Sequence, residues 1–378
     1  YVHNQEKLKF IHEKRPIILT KLIYDSQTFC STLRFSIKII NGNRTLEMLA
    51  SLRSSSSFTR AFSRIDAGIT QVAKDVMWIG VNDYDLREFH SMESPVGTSY
   101  NSYLLGNDTV VDSVKYTLSN QWIERLKTVG GDDLKGIKHI VMNHAEPDHS
   151  SGLPQLLAAA PHIELVCTQM NLNTLKKFYG NFAKKVRIVK SGEPFKVGGK
   201  ELILQGVPMA HWPESAVTYW PEHKILFSND AFGQHIATTQ RFLDEIDLSL
   251  YKREAKSYYA NILMRHGRPV MNALKAAASL PGIDMILPSH GVGFRRPEDI
   301  KLGIELYTRW AQMKPLPKLT VLYDCNWFGT EKMAQAIAAG ASHVNGVDIE
   351  MLHARRTHIT RTASEVLDSA AIAEAVRV

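Results

Sequence analysis

Asn143-His-Ala-Glu-Pro-Asp-His149 packs four ionisable side chains, His144, Glu146, Asp148 and His149, into six residues directly behind Lys138-His-Ile-Val-Met142. The preceding run is apolar and partly β-branched, which predicts a buried strand feeding the cluster. Pro147 lacks an N–H and holds the residue before it extended, so regular structure should stop there. In an extended loop alternate side chains point the same way, so His144, Glu146 and Asp148 are expected to converge, with His149 beside them. Left unpaired, such groups would repel one another and need solvent. The cluster is therefore read as a metal site.

Three more donors follow predicted strands: His211 after Val207-Pro-Met-Ala, Asp230 after Phe227-Ser-Asn and His290 after Leu287-Pro-Ser. A single histidine in such a place is more often a cap or a surface residue. Joined to the dense cluster, these residues give a nitrogen and oxygen shell without thiolate, which suits iron or manganese and can suit zinc. Its three carboxylates, with a bridging hydroxide, would neutralise two divalent ions. His139, His162, His223, His235 and His266 are read as solvated or capping residues.

Around these points the expected elements alternate. Strands are predicted at 76–80, 102–105, 109–111, 186–189, 201–204, 217–220, 225–227 and 285–287. Helices are expected at 122–129, 153–160, 171–179 and 297–313, with a long one over 253–280 broken near Gly267-Arg-Pro269. Lys314-Pro-Leu-Pro317 is a candidate domain joint. Beyond it comes strand, helix, strand, helix (319–323, 330–341, 347–352, 362–378), the opening of an open parallel sheet.

Of 378 residues, 44% are hydrophobic and 22% charged, the balance of a globular chain without a membrane-spanning apolar run. Three cysteines, Cys30, Cys167 and Cys325, are too few and too scattered for a disulfide scaffold and fit a reducing compartment. The net charge is +7, but residues 1–70 hold eleven Lys and Arg against five Asp and Glu. The body is thus nearly neutral, which removes the electrostatic case for nucleic acid. Residues 48–64 are rich in Ser, carry Arg53, Arg60 and Arg64, and hold no acid, the composition of an organelle import peptide. On this reading residues 1–70 are a disordered leader, with Met48 the true start. The destination is a mitochondrion-type organelle such as a hydrogenosome, or otherwise the cytoplasm.

His144-Ala-Glu-Pro-Asp-His149 resembles the flavodiiron form of the metallo-β-lactamase signature, with Glu146 where the hydrolases have His. Residues 81–90, 97–103, 211–215, 227–235 and 288–291 resemble the same family, and Tyr323-Asp-Cys-Asn-Trp-Phe-Gly-Thr330 resembles its flavin phosphate loop. The resemblance runs from about residue 70 to the C-terminus. It implies an α/β protein: an αββα metallo-β-lactamase-like sandwich over 71–316, then the start of a flavodoxin-like parallel sheet over 318–378. It implies one iron on His144, Glu146 and His211, the other on Asp148, His149 and His290, and Asp230 bridging. FMN would bind through Asn326, Trp327, Phe328, Gly329 and Thr330, at a helix N-terminus. The implied reaction is reduction of O2 to water or NO to N2O, with a rubredoxin or flavoprotein reductase as donor and a head-to-tail homodimer as the assembly. Cys325 departs from the hydroxyl residue common there. Only two strands of the flavin domain are readable, so weak FMN binding is expected. The alternatives are a zinc hydrolase on the same scaffold and an inactive remnant.

Overall fold

The computed structural model describes residues 17–23, 34–41, 44–51 and 68–375. The chain divides into two units, Tyr1–Ser63 and Arg64–Val378. In the first, Ile17–Ile23, Arg34–Asn41 and Arg44–Ser51 form an antiparallel sheet in which Ile37 faces Leu19 on one side and Met48 on the other. Three strands thus stand in a stretch whose composition suggested a disordered leader. The rest of residues 1–67, including 52–64 of the targeting stretch, lies outside the described residues.

The second unit holds two stacked sheets. One has seven strands in the order Val186–Ile188, Glu164–Cys167, His139–Val141, Thr109–Val111, Tyr103–Leu105, Val76–Trp78, Thr70–Ala73. The other has five: Pro194–Val197, Lys200–Gly206, Ala216–Trp220, Ile225–Asn229, Met285–Pro288. Strand periodicity sorts their side chains into layers. Val111, Val141, Val166, Phe227 and Leu287 meet between the sheets. Their neighbours Val110, Ile140 and Leu165 turn outward against Trp122, Leu126 and Leu156 of the covering helices. On the opposite side Leu226 and Ile286 pack on Tyr251, Tyr259, Tyr307 and Trp310. Helix, sheet, sheet, helix is the sandwich expected from the sequence.

Two local readings need correcting. Pro147–Ser150 is a helical turn, with Pro147 in the first turn and Glu146 as an extended N-cap. Proline at the start of a helix sacrifices no hydrogen bond, so it initiates structure here instead of ending it. The long helix also breaks earlier than Gly267. Leu248–Tyr258 is α-helical, Tyr259–Leu263 is a π-turn, Met264–His266 is a 3₁₀ turn, and Gly267–Ala278 resumes as α-helix.

After helix Pro297–Ala311 the chain enters strand Leu316–Tyr323, which runs through the candidate joint. Asp348–His353 pairs parallel on one side of it and Ser369–Ala375 on the other. Residues 369–375, read as helix from their alanines, are therefore a third strand. Ladder bonds to 316–323 and the 2.7 Å hydroxyl pair of Thr320 and Ser369 override weak local propensity. The second strand lies on one side of the first and the third on the other, the reversal of a doubly wound sheet. Helix Ile359–Asp368 is tied to the sandwich by Lys256, which reaches Glu365 and Asp368 at 3.2 Å each, and by Arg309 on Asp368 at 2.9 Å. Among the described residues no helix is long and apolar enough to cross a membrane.

Candidate metal centre

Strands His139–Val141, Lys200–Gly206, Ile225–Asn229 and Met285–Pro288 end on one side, and the loops that follow them deliver seven donors to one place. His144, Glu146, His211 and Asp230 have donor atoms within 4.8 Å of one another, and so do Asp148, His149 and His290. Alternation accounts for His144 and Glu146. Asp148 and His149 belong instead to the helical turn, where neighbouring side chains fan out by about 100°. That turn carries both into the second group, so one short motif serves two centres.

Asp230 joins the groups. Its Oδ2 lies 3.5 Å from His144 Nε2 and 3.3 Å from His211 Nε2. Its Oδ1 lies 2.9 Å from His149 Nε2 and 3.6 Å from His290 Nε2. Glu146 Oε2 closes the first group at 2.9 Å from His211 Nε2, and Asp148 Oδ2 closes the second at 3.0 Å from His290 Nε2.

Proximity here is not hydrogen bonding throughout. Both oxygens of Asp148, both ring nitrogens of His149 and Oδ2 of Asp230 are buried without a hydrogen-bond partner. Buried polar atoms are rarely left so. Donors that converge on shared points instead of pairing are the arrangement a metal ion satisfies, so the residues fit a two-metal site. Burial would discharge the imidazoles, but the carboxylates outweigh it, pushing His144 and His211 up to about 10 and His149 up to about 9. The imidazoles in turn hold Glu146 and Asp230 well below the usual carboxylate range despite burial. A metal entering this cage displaces protons from nitrogen.

Supporting residues fix the donors. His144 Nδ1 meets Glu214 Oε1 at 2.9 Å, and His290 Nδ1 donates to the Ser99 carbonyl at 2.7 Å. Such partners set the tautomer that leaves Nε2 free for metal. Tyr258 Oη donates to Asp230 Oδ1 at 2.9 Å. Its proton stays on, because burial and the Asp230 charge push the phenol well above its ordinary value. A Cβ at Gly291, whose φ is +74°, would collide with the Gln234 side chain, so the turn after His290 requires glycine.

Asp112 is the hub. It accepts from Asn143 N–H and Asn143 Nδ2 at 2.8 Å each, from Asn229 Nδ2 at 3.3 Å and from Ser289 Oγ at 3.4 Å. These residues directly precede His144, Asp230 and His290. One buried carboxylate therefore sets three donor loops against each other.

The sequence reading missed Asp112, Glu214 and Tyr258. Asp112 follows strand Thr109–Val111 as Asp230 follows its own strand, so the same rule applied evenly would have found it. His235 was read as solvated or capping. It is buried, with Nδ1 2.9 Å from Thr98 Oγ1 and its ring against Phe89, Tyr258 and His290. Burial and the adjacent His290 drive its pKa well down.

A cavity of about 240 Å³ opens over Glu146, Asp148, His211, Asp230 and His290, walled by Phe89, Met92 and Ile262 and edged by His90 and Arg265. His90 and Ser91 take φ of +48° and +65° in the two-residue hairpin between Glu88–Phe89 and Met92–Glu93. That turn holds His90 Nε2 3.6 Å from Glu146 Oε1. In the C-terminal sheet, Asn326, Trp327, Phe328 and Gly329 are exposed just before helix Gly329–Ala341 and at its first residue, with Thr330 beside them. The helix's first N–H groups have no partner within the helix. A Cβ at Gly329 would meet nothing, so this end is open to a ligand.

A family model described as "ODP family beta lactamase" matches residues 99–291. A nitric oxide reductase of Moorella thermoacetica is 35% identical over 306 residues, covering 80% of this chain and 75% of that protein. The crystal structure of the flavodiiron protein from Giardia intestinalis aligns with TM-score 0.77 and 37% identity, over 81% of this chain and 74% of that one. Rubredoxin oxygen:oxidoreductase from Desulfovibrio gigas aligns with TM-score 0.76 and 30% identity, over 81% and 77%.

Proposed function

Because the chain belongs to the flavodiiron protein family, we propose that it is an oxidoreductase reducing O2 to water or NO to N2O at a pair of iron ions held by the seven donors. The observation that carries this reading is Asp230, which presents one carboxylate oxygen to each donor group. His144, Glu146 and His211 would hold one ion, and Asp148, His149 and His290 the other. Iron bound there would supply electrons for reduction of the diatomic molecule, and FMN would be their source. The zinc hydrolase reading loses ground to the relatives' redox activities and to Glu146 in place of histidine.

The chain's own residues do the rest. Phe89, Met92 and Ile262 give the space above the donors an apolar flank. His90, half exposed at the rim, can carry a proton from solvent toward Glu146. Tyr258 holds its proton on Asp230 Oδ1, which steadies the bridge without neutralising it. Protein expressed with iron under anaerobic conditions should hold about two iron ions per chain and consume O2 or NO when reduced. Stoichiometric zinc with no iron under those conditions, or iron without turnover of either gas, would sink the proposal.

We propose that FMN would bind with its phosphate at the N-terminus of helix Gly329–Ala341, held by Asn326, Trp327, Phe328, Gly329 and Thr330. The donor is proposed to be a rubredoxin or a flavoprotein reductase, and the assembly a head-to-tail homodimer in which each chain presents its flavin to the partner's irons. A flavin-loaded, active protein that sediments as a monomer would contradict that assembly. For residues 48–64 the composition supports import into a mitochondrion-type organelle. A reporter fused to residues 48–70 should enter the organelle and stay out when Arg53, Arg60 and Arg64 are changed to Glu. A wild-type fusion that remains cytosolic would refute import.

A further inference from the structure

Behind the donor groups lies a second cavity, apart from the one above them. It sits between the outer face of the five-stranded sheet and helix Gly267–Ala278, and encloses about 30 Å³. Four alanines, Ala210, Ala231, Ala273 and Ala277, leave the space that larger side chains would fill. Val217, Leu226, Leu263 and Val270 complete an apolar wall. The two hydroxyl residues in the lining are already engaged. Ser228 Oγ donates to the Ala231 carbonyl at 2.7 Å, and Tyr307 Oη accepts from Phe232 N–H at 2.7 Å.

A trapped water needs two to four polar partners; beyond the Tyr307 O–H and the Ser228 Oγ lone pairs this wall is apolar, so it should hold water poorly. At roughly 10–15 Å³ for each water-sized sphere, its volume takes about two such spheres, the size of one diatomic molecule. Its inner end lies beside the donor loops, since Ala210 precedes His211 and Ala231 follows Asp230. Its outer end lies at Ala273, Leu274 and Ala277, which are only partly buried.

We propose that this cavity binds a small apolar gas and serves as a holding site for the O2 or NO that the metal site consumes. The gas binds by dispersion alone, without a hydrogen bond, so occupancy is weak, fast and independent of metal. The role as a holding site rests on the reductase reading above; the binding of gas does not.

Xenon, an apolar probe, tests both parts. Crystals of the full chain under xenon pressure should show a xenon atom between Ala210, Ala231 and Ala273, with or without iron. Ala277→Leu should abolish that peak, and Ala273→Val should weaken it. In iron-loaded protein Ala277→Leu should raise the KM for the gas about threefold, with kcat at saturating gas and iron content unchanged. Ordered water in the cavity of the wild type, or no xenon there, overturns the site. Xenon bound in the wild type with an unchanged KM in Ala277→Leu overturns its role. Wild-type protein that takes up xenon but consumes neither gas points to failure of the reductase reading, not of the cavity.

Discussion

Asp230→Ala is expected to empty both metal positions at once, taking iron from about two ions per chain to nearly none and gas consumption to background. Each Asp230 oxygen lies within 3.6 Å of two imidazole nitrogens of a different donor group. Removing the carboxylate therefore strips a donor from both groups and leaves a buried cluster of imidazoles short of one counter-charge. His149→Ala is the comparison. It removes a donor from one group only, and Asp148, His290 and Asp230 remain there. About a tenfold loss of affinity at one position is expected, with the other intact, in the range seen when a ligand's supporting partner is removed. Metal analysis of the two variants, purified side by side under anaerobic conditions, decides. If Asp230→Ala retains one tightly held ion, the carboxylate is not a bridge.

Asp112→Ala should be the most damaging change at a residue that touches no metal. Asp112 is 2% exposed. Its loss would leave Asn143 N–H, Asn143 Nδ2 and Ser289 Oγ without their acceptor, and Asn229 Nδ2 with Ser289 Oγ alone. An orphaned buried donor costs about 1–3 kcal/mol, and these costs do not add fully, so a loss of about 3–5 kcal/mol in stability is expected. Because Asn143, Asn229 and Ser289 precede His144, Asp230 and His290, metal affinity should also fall, by about 10–100-fold. Asp112→Asn keeps the shape but sets an N–H against other N–H groups, and should fall between wild type and alanine. Denaturant unfolding of the metal-free protein, paired with metal titration, separates the two effects. A variant within about 1 kcal/mol of wild type that binds metal normally would show that the loops hold their places without the hub.

Much of this was legible beforehand because it is local. Continuous apolar runs such as Ile140-Val-Met142 announce strands buried on both faces, and a polar residue just past such a run has few places to go but the rim of the sheet. That logic reached six of the donors from strand ends and the motif's alternation. It stumbled at Pro147, where a residue read as a breaker starts a helical turn, and the choice depends on what that turn packs against. It stumbled again at residues 369–375, whose alanines favour helix until a strand edge is available, and at His235, whose burial comes from Phe89 and Tyr258, remote in sequence.

The sequence by itself determined which chemistry is present, since side-chain identity and strand period are properties of short stretches. It held the imidazoles and carboxylates, the strands that carry them, and the glycine-led helix start of the C-terminal sheet, while the sandwich was implied by the family resemblance. Only the tertiary structure decided how the donors divide into two groups, which oxygen of Asp230 faces which, and that Asp112 joins three loops. Those relations depend on the relative placement of strand ends drawn from two different sheets. That placement is set by packing between the sheets, to which no local pattern of residues gives access.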